Sequence, residues 1–81
     1  VMTFGNGEVS MVSIDAPPHL AGRMVGHIIV PAEIRVVAIT REGQAFIPTR
    51  GTEFRNGDVI HFVVLASSME RLETMLGMGE T

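Results

Sequence analysis

The sequence predicts an α+β domain: a small mixed or antiparallel β-sheet with two short helices on one face, dimerising through the other surface. Short apolar runs alternate with turn residues along most of the 81-residue chain, the pattern of a small strand-rich domain. Two of these runs, Ile34 to Thr40 and Asp58 to Ala66, are apolar at odd and even positions alike, as strands buried on both faces are. Two segments carry apolar residues at helical spacing. One helix layer covers one face of a sheet, so the other face calls for a partner, and an obligate pair buries an interface resembling a core cut in half.

Residues 1–7 read as a linker or remnant, Gly-rich and polar with no signal-peptide pattern. Glu8 to Asp15 reads as the first strand, with Val9, Met11, Val12 and Ile14 as its apolar members. Pro17-Pro18 stops it, because proline cannot donate to a ladder. Leu20, Met24, Val25 and Ile28 then recur at the spacing of a helix of about two turns, starting where proline is well tolerated. Ile34 to Thr40 is the next strand, Glu42-Gly43 a tight turn, and Gln44 to Ile47 the returning strand, closed by Pro48. Thr52, Asn56, Gly57 and Asp58 form a structural bend. Gly57 supplies a positive φ without steric cost, and Thr52 and Asp58 bond the backbone. Asp58 to Ala66 is the last strand. Ser67 and Glu70 have the spacing of a capping box, and Met69, Leu72, Met75 and Leu76 give the final helix one apolar stripe that Gly77 ends. Residues 78–81 read as a flexible tail.

Composition excludes several classes. The formal charge is −3, with no basic stripe and four Phe as the sole aromatics, so a nucleic-acid partner is not expected. Without Cys there is neither a disulfide nor a thiolate metal site. No apolar run approaches the roughly 18 residues of a membrane-spanning helix. The first residue is Val, and the chain is expected to be a piece of a longer protein with an N-terminal neighbour.

Candidate chemistry is sparse. His19, His27 and His61 lack metal-ligand spacing, and no metal site is expected. His61 shares a strand face with Val59, Val63 and Leu65 and reads as a hydrogen-bonded core or interface histidine, with pH sensing as its alternative role. Ser13, Asp15 and His19 have the residue types of a hydrolase triad without a nucleophile elbow, so no catalytic residue is assigned. Glu33, Glu42, Glu53 and Asp58 read as turn or solvent carboxylates. Arg35 and Arg41 end the Ile34 to Thr40 strand on the face of Val37 and Ile39. There they suit surface ion pairs, an anionic ligand, or acidic groups across a dimer interface.

Five short pieces in order then carry a resemblance: Leu20-Ala21-Gly22-Arg23, Val36 through Gly43, Phe46-Ile47-Pro48, Thr52-Glu53-Phe54 and Asn56-Gly57-Asp58-Val59. Together they resemble the TrkA C-terminal domain, the C-terminal subdomain of regulators of potassium conductance (RCK), from about Val9 to Gly77. The resemblance implies a dimerising α+β regulatory domain, not an enzyme, spanning residues 8–77. It implies a cytoplasmic subunit at the inner face of the membrane, gating a potassium channel or transporter through ligand-dependent dimer geometry. A nucleotide-binding neighbour would carry NAD or ATP, and no cofactor is implied in this domain. Some members bind cyclic di-AMP in the cleft between two such domains. The matching positions here are Ile28, Ile29, Ile34, Arg35 and Pro48. Where members often carry a basic residue, this chain has Ile29-Val30-Pro31-Ala32, and Arg35 is the nearest substitute. The alternative is a purely structural dimerisation module of a ring assembly, a cation–proton antiporter or another carrier, with no small-molecule ligand.

Overall fold

Half-buried and buried residues alternate without a break along Val59–Leu65, and the sheet is built around that strand. The computed structural model describes residues 2–5 and 7–77. Its strands are β1 (Met2–Phe4), β2 (Val9–Asp15), β3 (Ile34–Arg41), β4 (Gln44–Phe46) and β5 (Val59–Leu65), in spatial order β1-β2-β5-β3-β4. Every pairing between these strands is antiparallel. The helix α1 (Met69–Met75) follows β5 through one 3₁₀ turn at Ala66–Ser68. Residues 78–81, read above as a tail, lie outside the described residues.

The inner face of the sheet carries the core. Ile34, Val36, Ile39, Ile60, Phe62 and Val64 meet Leu20, Val25, Ile28 and Phe54, and from α1 Leu72 and Leu76. Phe62 is fully buried, and a side chain of that kind contributes about 1.5–3 kcal/mol through removal from water. The outer face presents Val9, Val59, His61, Val63 and Leu65, all half-buried and outside the core cluster of the described residues.

The 20–28 segment is not a helix. It forms two 3₁₀ turns, Pro18–Leu20 and Val25–Ile28. Its backbone turns outward to the polar loop: Gly22 N donates to Phe54 O, Val25 N to Thr52 O and Gly26 N to Arg50 O, at 2.8–2.9 Å. Phe54 N returns a bond to Arg23 O at 2.9 Å. Those bonds replace the i to i−4 ladder, and Gly22 and Gly26 lower the helical competition.

Three further readings are corrected. Met2–Phe4, taken as linker, adds an edge strand to β2; three residues are too few for a period to show. The capping box at Ser67 does not form. Ser67 is exposed, α1 starts at Met69 with no side-chain cap, and the adjacent Ser68 hydroxyl donates to Glu33 Oε1 at 2.9 Å. Finally, β3 carries a bulge between Val36 and Ala38, so Val37 is an extra residue against β5. The bulge reverses the alternation, which leaves Arg35 opposite Val63 on the outer face and Arg41 on the core side with Ile39.

The bend before β5 rests on two devices. Asp58 Oδ2 accepts from Arg55 N at 2.9 Å, and Gly57 between them has φ +90°. A Cβ on Gly57 would meet nothing within 4 Å, so Gly57→Val adds backbone strain alone. The expected cost is about 1–2 kcal/mol, a fall in melting temperature of roughly 5–10 °C by calorimetry. An unchanged midpoint would remove the positive-φ requirement.

Candidate functional site

The 30–34 turn forms one wall of the site. Val30 and Ile34 exchange backbone bonds at 3.0 and 2.8 Å, and Glu33 N donates to Val30 O at 2.9 Å. Pro31 takes a turn position for which its φ is preset, and Ala32 then adopts φ 66°, where glycine is the usual residue. Such a left-handed conformation costs about 1 kcal/mol. The turn is anchored from behind: Leu65 N donates to Glu33 O at 2.9 Å, and Ser68 Oγ and Arg71 Nη1 both donate to Glu33 Oε1 at 2.9 Å. The Ser68 and then the Arg71 bond hold the Glu33 carboxyl below its ordinary pKa.

One hollow lies against this turn and a second adjoins it through Ile29, Arg35 and Arg50. The first, about 470 Å³, has apolar walls from Val9, Ile29, Ile34, Val63 and Leu65. The second, about 420 Å³, is walled by Val25, Ile29, Val36, Val37, Ile47 and Pro48. Ile29, Arg35 and Arg50 border both. Both arginines are exposed, and among the described residues neither pairs with a carboxylate. Two guanidinium groups at the junction of two apolar hollows suit a ligand with a flat apolar body and anionic groups, since each offers a planar fork to phosphate or carboxylate.

Of the residues singled out in the sequence, Ile29, Ile34, Arg35 and Pro48 meet at these hollows. Ile28 lies in the core, 3% exposed, and lines neither. Arg50 was not among them. Its position depends on Gly26: a Cβ there would stand 3.2 Å from Arg50 Cβ and 3.2 Å from its carbonyl oxygen. The signal was a glycine inside an apparent helix, which marks a close approach of another backbone.

The other candidates serve the fold or the outer face. Arg41 Nε and Nη2 donate to Asp58 Oδ1 and Oδ2, each at 2.8 Å, and Nη2 also reaches Glu53 O at 3.0 Å. The Arg41 bonds, helped by Arg55 N–H, hold the Asp58 carboxyl below its ordinary pKa against the effect of burial. The Arg41 guanidinium also stands 5.0 Å from the Phe46 ring centre. Thr52 Oγ1 accepts from Thr49 N at 3.0 Å. Ser13, Asp15 and His19 do not assemble: Ser13 Oγ bonds His61 Nδ1 at 2.7 Å, while His19 Nε2 donates to Met75 O, at the C-terminus of α1, at 3.2 Å. His61 Nε2 bonds Thr40 Oγ1 at 2.8 Å, so both ring nitrogens are held by hydroxyls across neighbouring strands. Among the described residues no three of His, Cys, Asp and Glu converge on a metal site. None of their helices is long and apolar enough to cross a membrane.

The chain matches a known family. Residues 9–77 match the TrkA-C domain. The chain belongs to the TrkA-C domain family. It is a family of regulatory, non-catalytic domains of potassium transport. Solved structures share the fold, two of them as follows. One is an RCK domain solved with cda: TM-score 0.68, 19% identity, covering 83% of this chain and 97% of that one. The other is the RCK C domain of the potassium transport protein KtrA, in complex with cyclic diadenosine monophosphate (c-di-AMP): TM-score 0.71, 24% identity, covering 84% of each chain. No curated protein matches the sequence.

Proposed function

We propose that this TrkA-C domain is the ligand-binding and dimerisation module of a cytoplasmic subunit of a potassium uptake system. In this reading it sits at the inner face of the membrane with its transporter and follows a nucleotide-binding domain. An anionic ligand in the hollows biases the geometry of a domain pair and so gates transport. The observation that carries this reading is the placement of Arg35 and Arg50, both without acidic partners among the described residues, at the junction of two hollows with largely apolar walls. The c-di-AMP complex of the KtrA domain supports a cyclic dinucleotide as the effector. Ile29 and Pro48 would contact its bases, and Arg35 its phosphates, with the buried Ile34 packing beneath them.

Thermal unfolding at fixed protein concentration tests this, with c-di-AMP, ATP, ADP, NAD, Ca²⁺ and Mg²⁺ added separately. Ligand at 100 times its dissociation constant stabilises by about 2.7 kcal/mol, which raises the midpoint by roughly 10 °C or more in a domain of this size. The expected result is such a rise with c-di-AMP and none with the metals. No rise with any nucleotide would favour the structural alternative, a dimerisation module without a small-molecule ligand. The half-buried apolar strip on the outer face is the observation in that alternative's favour.

A further inference from the structure

The hollow beside the 30–34 turn mixes charges. Glu33 lines it together with Arg35 and Arg50. A carboxylate beside the seat of an anion repels it, and the repulsion is stronger against low-dielectric apolar walls than in water. The Glu33 carboxylate is engaged from the side of α1. Its Oε1 is held by Ser68 Oγ at 2.9 Å and by Arg71 Nη1 at 2.9 Å, both from the segment that opens into α1.

We propose that Arg71 sets the anion affinity of this hollow without touching the anion, by masking the Glu33 carboxylate and drawing it toward α1. The inference rests on reading the hollow as an anion site, and it makes Arg71 a positioning residue. Stability does not explain the pair. The side chains of Arg71 and Glu33 are 57% and 37% exposed, and exposed ion pairs contribute little to folding. Without Arg71, Glu33 keeps a single neutral donor, Ser68. Its carboxylate can then turn to the unpaired guanidinium groups lining the same hollow and occupy the donors the ligand needs. Repulsion and competition act in the same direction. The arrangement also makes the site answer to α1: any displacement of the helix start releases a carboxylate into the hollow.

The test is titration calorimetry with c-di-AMP as the probe, at low and high salt, on wild type, Arg71→Ala, Arg71→Lys, Glu33→Gln and the Glu33→Gln/Arg71→Ala double variant. Arg71→Ala is expected to weaken binding about three- to tenfold with little change in melting temperature, more at low salt than at high. Arg71→Lys keeps most of the affinity. The double variant returns to wild-type affinity or better, which a merely structural role for Arg71 would not produce. Wild-type affinity in Arg71→Ala, or an equal loss in the Glu33→Gln background, overturns the inference and leaves the anion site standing. A wild-type protein that binds no c-di-AMP overturns the anion-site reading, and this inference with it.

Discussion

Asp58→Ala is expected to cost about 3–5 kcal/mol, the range for breaking a buried ion pair from one side. Asp58 is 1% exposed at the inner end of β5 and accepts three bonds, two from Arg41 and one from Arg55 N. Alanine leaves the Arg41 guanidinium, 19% exposed, with Glu53 O as its remaining partner. It also removes the acceptor that closes the 55–58 bend. A chain of this length has about 4–12 kcal/mol of stability in total, so the variant should lose at least about a quarter of it. Urea unfolding followed by circular dichroism measures this, and a loss under about 1 kcal/mol would show that the pair contributes no more than a surface bridge. The pH dependence follows with a definite sign. Arg41 first, then Arg55 N–H, lowers the folded pKa of Asp58. The unfolded chain therefore binds more protons in acid. Stability is full above about pH 5 and falls as pH drops through about 4 toward the folded pKa value. Asp58→Ala should flatten that acid limb.

What the sequence revealed and what it hid follow from the range of the interactions involved. The β5 run shows its strand because alternation is a local property, and Glu42-Gly43 shows its turn because both residues take positive φ, 52° and 81°. The 20–28 segment misleads for the opposite reason. Its apolar spacing is helical, but its N–H groups are claimed by carbonyls 24–32 residues away, at Arg50, Thr52 and Phe54. The β3 bulge is likewise invisible in IRVVAIT, where every residue from Val36 to Ile39 is apolar and no polar residue marks the extra position. One hidden residue separates Arg35 from Arg41 in role: the first faces the hollows and the second the core. The site was half legible. Ile29, Ile34, Arg35 and Pro48 came from family resemblance, whereas Arg50 reaches them through the loop strapped onto Gly26, a glycine that marks a close approach without naming the residue that makes it.

Val63→Arg is expected to convert a dimer of this domain into a folded monomer, weakening association at least 100-fold, or about 2.7 kcal/mol. Val63 lies on the outer face of the central strand, opposite Met11 on β2 and Arg35 on β3, among half-buried residues that stand outside the core cluster of the described residues. A second copy laid against this strip would remove those side chains from water. A guanidinium at its centre would be desolvated without a partner and would face like charge from Arg35. Sedimentation equilibrium reads the outcome, with circular dichroism to show that the sheet persists. A wild-type protein that is monomeric at about 100 μM, a concentration at which even a weak specific pair associates, would remove the dimer from the proposed function. A variant that stays dimeric would move the interface off this face. The same substitution also reports on gating. Val63 and Leu65 line the first hollow as well as the outer face, so a ligand there and a second copy would contact common residues. Two binding events that share a surface cannot be energetically independent, and reciprocity requires each to alter the affinity of the other. In Val63→Arg, c-di-AMP affinity should therefore lose its dependence on protein concentration, the dependence that a dimer-coupled sensor must show.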